Sequence, residues 1–329
     1  MSWMRVPRVI GRLTARDIGL VINTADPYSV EVGAAYIRAR RLAPAQVLRV
    51  QLPLRPVLTP DELRRLRESI DSRFGPTTQA LALAWTMPYA VDCNSITGAL
   101  ALGFDDELCR NPCAASRPSP YFNSVSSRPY ADVGFRPSML LAAPDAAAAK
   151  ALIARGVAAD RTLGLRGAPP ANAWFVATGD ARRSVRALLF PPAGPAPALG
   201  LDIHAVRADT IGDAPRVMLY LTGATQVAQL DRVGWLPGAL ADHLTSFGGA
   251  LDGHGGQMTA LAWIAAGATA SHGTTSEPCS HLQKFPHPQV LLLHYAQGET
   301  AIEAYWKSVA WPQQGLFIGE PLAAPFARW

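Results

Sequence analysis

Residues 17–52 read DIGLVINTADPYSVEVGAAYIRARRLAPAQVLRVQL, and their pattern decides the fold class. DIGLVINTA (17–25) is an apolar β-type run that ends in polar residues. SVEVGAAYIRARRL (29–42) then repeats apolar residues at helical spacing, with Ser29 the expected cap. QVLRVQL (46–52) returns to a strand pattern. Strand, helix and strand in this order are the unit of a parallel sheet.

The alternation continues outward. Thr59 caps TPDELRRLRESIDSRF, with Pro60 at the first helical position, where the missing N–H costs nothing. QALALAWT (79–86) reads as a buried strand. Residues 103–137 interrupt the pattern with a long loop rich in Pro, Ser, Asn and Cys; such a loop is functional or pinned. After it come MLLAAP (139–144), a helix in AAAAKALIARGVAA, a strand in AWFVAT and a helix in ARRSVRALL. Strands in LDIHAV and RVMLYLTG (216–223) follow. The part from 236 to 329 reads as helical and His-rich: LPGALADHLTSF (236–247), QMTALAWIAAG (257–267) and one long helix through QVLLLHYAQGETAIEAYWKSVA. Without an internal repeat or clear linker, the expectation is one α/β domain over 1–329, a mostly parallel sheet flanked by helices.

Composition narrows the class. With 49% hydrophobic and 17% charged residues, the 329-residue chain has ample material for a large core, which excludes disorder. The net charge of +5 comes almost wholly from arginines spread in short helical clusters such as Arg64, Arg65 and Arg67. A nucleic-acid surface would concentrate them in a stripe with aromatics between, so no nucleic-acid partner is expected. No apolar run reaches membrane-spanning length. The start, MSWMRVPRVIGRL, has basic residues but no continuous apolar segment or small-residue cleavage site.

Four cysteines, Cys93, Cys109, Cys113 and Cys279, fit two disulfides, with three pairings open. Cys109-x3-Cys113 could close a small loop, and Cys279 could bond Cys93 or another cysteine. Two disulfides imply an oxidising compartment, periplasmic or secreted, with the leader absent from this chain; four reduced thiols in the cytoplasm are the alternative.

In an open parallel sheet, ligands bind beyond the carboxyl ends of the strands. Four exits qualify: Asn23 to Asp26; Thr86 to Tyr89 leading to Asp92 and Ser95; Leu221 to Gly223; and Ser271 to Gly273. The last opens the chemically dense stretch 266–288, AGATASHGTTSEPCSHLQKFPHP. Cys279 is a candidate nucleophile with His272 or His281 as base, though seven residues between His272 and Cys279 is an unusual spacing for such a pair. A transition metal is an alternative cofactor, with His254, His272, Glu277 and His281 its ligands, although neither HExxH nor CxxC is present. No G-x-S-x-G, P-loop or G-x-G-x-x-G occurs. The glycine pairs 248–249 and 255–256 are expected to permit tight turns.

The segments LPGALADHLTSFGGAL, GQMTALAWIAAGATASHGTTSEPCSHLQKFPHP and HYAQGETAIEAYWKSVAWPQQGLFIGEPLAAPF, with NTADPYSVEVGAAYIRARRLAP and RPSMLLA, resemble an uncharacterised family of bacterial, often exported proteins. That resemblance implies export and no particular activity. A more distant likeness is to gingipain-type cysteine peptidases, through the order of elements and the turn Gly319-Glu320-Pro321. It implies a caspase-like general plan. Those peptidases carry His-Gly where this chain has Thr222-Gly223, and no cysteine lies between Leu221 and Trp263, so their dyad is missing.

The reading that follows is an extracytoplasmic hydrolase-like or peptide-processing protein acting on a small molecule or peptide. His272 is its general base or ligand, Cys279 a nucleophile or disulfide partner, and Asn23, Asp92 and Thr222 its polar wall. Its rivals are a non-catalytic binding or assembly protein on a peptidase-like scaffold and a metal-dependent enzyme.

Overall fold

The computed structural model describes residues 2–328. Its first unit is the one read above: β1 (Ile18–Asn23), α1 (Pro27–Arg40) and β2 (Val47–Val50), with β1 and β2 parallel and Leu20 opposite Val47. The cap of α1 is Asp26, whose carboxylate accepts from the Tyr28 amide at 3.0 Å, rather than Ser29. Pro27 fits the first helical turn, so the cap and the helix start come three residues earlier and Ser29 lies inside the helix. Buried there, the Ser29 hydroxyl accepts from the Asn23 amide at 2.8 Å and closes the strand–helix turn.

After β3 (Val57–Leu58), α2 (Pro60–Arg73) starts with the expected cap, Thr59 and Glu62 bonding each other's backbone N–H. Next come β4 (Ala80–Leu83), β5 (Ala90–Val91), β6 (Asn94–Ser95) and α3 (Ile96–Leu102). The 103–137 loop holds only α4 (Glu107–Arg110) and α5 (Pro129–Val133). The chain continues through β7 (Ser138–Leu140), α6 (Ala146–Ala159), β8 (Ala171–Ala177), β9 (Gly194–Ala196), β10 (Leu201–Arg207) and β11 (Val217–Thr222). It ends in β12 (Trp235–His243), α7 (Ala260–Ala266), β13 (Ala270–Thr274), α8 (Pro288–Ala296), α9 (Ala301–Ser308) and β14 (Gly315–Gly319).

Eleven strands form one sheet in the order β2-β1-β4-β7-β14-β13-β12-β11-β8-β10-β9, and β3, β5 and β6 form a small second one. In the large sheet every neighbouring pair is parallel except β13–β14 and β9–β10. The α/β class and the mostly parallel, helix-flanked plan are therefore as read from the sequence. One consequence was not legible there. Because β14 is antiparallel to β13 and parallel to β7, the sheet consists of two parallel blocks running in opposite directions. The exits of β1 and β4 thus point away from those of β11, β12 and β13.

Two elements of the C-terminal part differ from expectation. Residues 236–243 lie in the strand β12 instead of a helix, with residues 238–243 buried, and 244–247 form the loop that follows. Pro237 and Gly238 oppose helix there, and Gly238 sits at φ 89°, a left-handed value open to glycine. The long helix is broken at Gly298, φ 98°, into α8 and α9, and Thr300 and Glu303 cap the second piece.

Charged networks tie helices and loops to the sheet. The Arg40 guanidinium donates to both oxygens of Glu320, at 3.0 and 2.5 Å, and to Asp160 at 2.6 Å, joining α1 to the turn after β14. Glu299 accepts from His294 at 2.5 Å and pairs with Lys307, while His294 Nε2 meets the Asn123 side-chain oxygen at 2.9 Å. That network ties α8 and α9 to the long loop.

Candidate functional site

The loops after β12 and β13 frame two adjoining hollows. The larger is a cleft of about 550 Å³, within the range of small-molecule sites. The small sheet brings Tyr89 and Asp92 across to it, where they meet Phe247, Asp252 and His254 from the loop after β12. Arg55, Thr275 and Ser276 complete its polar wall. The smaller hollow, about 210 Å³, opens between Arg182, Arg183, Thr245 and Ser246 on one side and Glu277 and Ser280 on the other. Ser276 lines the cleft and its neighbour Glu277 lines the smaller hollow.

Inside the cleft the Tyr89 hydroxyl donates to Asp252 Oδ1 at 2.7 Å. Burial, and then the bonded carboxylate, push the tyrosine well above its usual range, so it stays a neutral donor. Asp252 also accepts from the His254 amide at 3.1 Å, and the exposed His254 ring stands edge-on to Phe247. Asp92, at φ 44°, is held in the left-handed region at the cleft rim. Arg183 joins the smaller hollow's wall by donating to Thr245 at 3.2 Å while pairing with Asp180 at 2.7 Å. These groups can hold a polar ligand by donors, acceptors and one aromatic face.

Both disulfides border this region. Cys93 bonds Cys109, and Cys113 bonds Cys279, so neither the Cys109–Cys113 loop nor a Cys93–Cys279 bridge forms. All four cysteines of the chain are thereby paired. A disulfide sulfur has no thiolate to offer, and Cys279 as a nucleophile gives way to Cys279 as the clasp between the long loop and the 275–281 segment. Around it, Glu277 Oε1 accepts the Cys279 amide at 2.7 Å and His281 Nε2 meets the Cys113 carbonyl at 3.0 Å.

His272 lies beneath the surface, 1% exposed, between Phe285 and Phe317. Neither ring nitrogen has a hydrogen-bond partner among the described residues. Burial, with the nearby positive Arg186, drives its pKa down to about 3, so the ring is neutral at every ordinary pH. It lines neither hollow. Its neighbours explain the motif Ser271-His272-Gly273 in packing terms. A Cβ on Gly273 would lie 2.3 Å from the Gly248 backbone, and one on Gly315 would lie 2.6 Å from His272 Nε2. The pair 248–249 sits at the centre of a turn closed by the Ala250 amide on the Phe247 carbonyl at 3.1 Å and also lies close against β13, while Gly255 and Gly256, both at positive φ, belong to the next turn.

The other expected wall residues separate. Asn23 clamps the chain after β2, its side chain bonding the Leu52 amide at 2.9 Å and the Leu52 carbonyl at 3.2 Å. Thr222 is buried, its carbonyl accepting from Arg186 at 2.6 Å. Only Asp92 reaches the cleft. The metal set does not assemble either: His254 is at the surface, His272 is sealed, and Glu277 and His281 brace the disulfide loop. No group of three or more His, Cys, Asp or Glu side chains able to hold a metal occurs among the described residues.

Several polar residues were not singled out beforehand. Arg186 and Asp242 form a 2.6 Å ion pair sealed beside the ends of β11 and β12, where desolvation raises the Asp242 carboxyl. His243 receives the Trp263 indole N–H at 2.9 Å and bonds the Met258 carbonyl through Nε2, also at 2.9 Å, which fixes its tautomer. Lys284, fully buried and pushed down to about 8 by desolvation, donates to the Pro112 carbonyl at 2.6 Å. Tyr89 belongs to one of the four strand exits, whereas its partner Asp252, 163 positions away, has no local signal that links the two.

No protein-family model matches the chain, and no curated protein matches it. Among solved structures it is similar to the Arg-specific cysteine proteinase gingipain R, at 10% identity and a TM-score of 0.47 over 94% of this chain and 78% of that one.

Proposed function

We propose that this chain is a non-catalytic, extracytoplasmic binding protein whose cleft beyond β12 and β13 holds a small polar molecule or a short peptide. The observation that carries the reading is the Cys113–Cys279 disulfide: the one sulfur of the dense 266–288 stretch is a cross-link. With His272 sealed away as a neutral ring and Cys279 cross-linked, the cysteine–histidine pair read from the sequence is not offered to the cleft, whose polar groups serve binding. Two disulfides favour an oxidising compartment, and no helix of the described residues is long and apolar enough to cross a membrane.

The test pairs binding with turnover on protein purified without reductant. A short-peptide library is screened by native mass spectrometry, and the same peptides are followed for cleavage. Binding that weakens about tenfold in Asp252→Asn, with every peptide recovered intact, is the expected result. Cleavage that disappears in Asp252→Asn or His254→Ala, or a reactive thiol mapped to Cys279, would overturn the proposal in favour of a hydrolase.

A further inference from the structure

A second concave surface lies on the outer edge of the large sheet, linked to the cleft through the ion pair of Arg55, in the cleft wall, with Glu62, in the lining of this one. β2 is the terminal strand, paired with β1 on one side only. Along its free side, residues 48–53 and the facing side of α2 enclose a groove of about 570 Å³.

The backbone of this edge is unsatisfied in a regular way. The Val50 carbonyl accepts from Thr24 at 2.8 Å and the Leu52 amide donates to Asn23 at 2.9 Å, so the even-numbered residues bond inward to the β1 side. Strand alternation turns the amides and carbonyls of Arg49 and Gln51 outward to the groove. One outward carbonyl further back, that of Val47, is already covered by Arg73 at 3.1 Å. Residues 48–53 span ~20 Å of extended chain, room for about six residues of an added strand.

The groove is also strongly biased in charge. Arg49, Arg65 and Arg73 line it, all exposed, and none forms an ion pair with a carboxylate among the described residues. Arg73 spends its donors on the carbonyls of Pro44 and Val47 and keeps its full charge. The single acid of the lining, Glu62, is neutralised by Arg55 at 2.5 Å and by the cap of α2. Leu48, Val50, Leu52 and Leu66 supply apolar surface among these cations.

We propose that this edge is a docking site for an extended, acidic peptide segment of another protein, which adds as a strand beside β2. Its main chain would pair with Arg49 and Gln51, its acidic side chains would face the three arginines, and its apolar side chains would alternate onto the leucines. The charge would set specificity and attraction, and the backbone pairing would set geometry.

The probe is a fluorescein-labelled peptide of alternating Val and Glu, about six residues long, followed by anisotropy on the intact chain. We expect saturable binding that weakens with added salt, falls at least about tenfold in the Arg49→Glu/Arg65→Glu double variant, and protects the Arg49 and Gln51 amides in hydrogen exchange. Circular dichroism confirms that the variant is folded, since both side chains are exposed and outside the core. Equal binding of a Val/Lys peptide, absent binding of the Val/Glu peptide, or binding without protection of those two amides would each overturn the proposal. Concentration-dependent dimerisation abolished by Gln51→Pro would overturn it too, by assigning the edge to a second copy of this chain.

Discussion

Replacing His272 by leucine tests the central claim about the sequence's most conspicuous motif. The ring is sealed in the core with both nitrogens unpartnered, and its pKa falls from 6.5 to about 3. A histidine depressed in this way binds fewer protons when folded than when unfolded, so its neutral burial is tolerated at neutral pH and destabilises progressively as pH falls below 6.5. Integrating one site between those two values gives about 2 kcal/mol of stability lost by the parent between about pH 7 and pH 5, and about 3 kcal/mol by about pH 4. Leucine has similar volume and no proton to bind, so His272→Leu removes that slope. His243 and Glu303 titrate in the same range in both proteins and cancel in the comparison. At neutral pH the change itself is small, because lost packing is offset by removal of two unpartnered polar atoms worth about 1–3 kcal/mol. Urea unfolding with disulfides intact, repeated across that pH range, measures the difference. Parallel stability curves for parent and variant would refute the reasoning, because they would mean the ring is hydrated or hydrogen-bonded in solution.

Arg186→Met, which strands the buried Asp242 carboxylate, is expected to cost about 3–5 kcal/mol in urea unfolding, and Arg186→Met/Asp242→Leu to recover most of it. If the double variant is as unstable as the single one, the bond from Arg186 to the Thr222 carbonyl, and not the charge pair, carries the stability. Removing both sulfurs of Cys113–Cys279, which closes 166 positions, should cost about 5 kcal/mol, against about 3 kcal/mol for the 16-position Cys93–Cys109 loop. A reversed order in chemical denaturation would show that chain entropy does not govern these cross-links.

How far the sequence could be read varies from element to element. The capped helix Pro60–Arg73 and the helix Ala146–Ala159 were legible because their signals are local: a cap, a proline at the first turn, and a helical repeat of apolar positions. β12 is less legible, since the apolar positions of 236–247 suit a helical face as well as a buried strand; Pro237 and Gly238 speak locally against helix, and pairing with β11 and β13 makes the segment a strand. The site suffered from the same limit. The stretch around His272 and Cys279 looked chemical through its residue types, yet its histidine is core and its cysteine a clasp.

What the sequence determined by itself was the α/β class, most element positions, the charge character and the presence of enough cysteine for two cross-links. Each follows from composition or from periodicity within about a dozen residues. Tertiary structure alone decided which cysteines pair, the reversal of direction at β13–β14, and the meeting of Tyr89 with Asp252. Those are contacts between segments far apart in the chain, set by how two opposed parallel blocks pack into one sheet, and no local pattern encodes them.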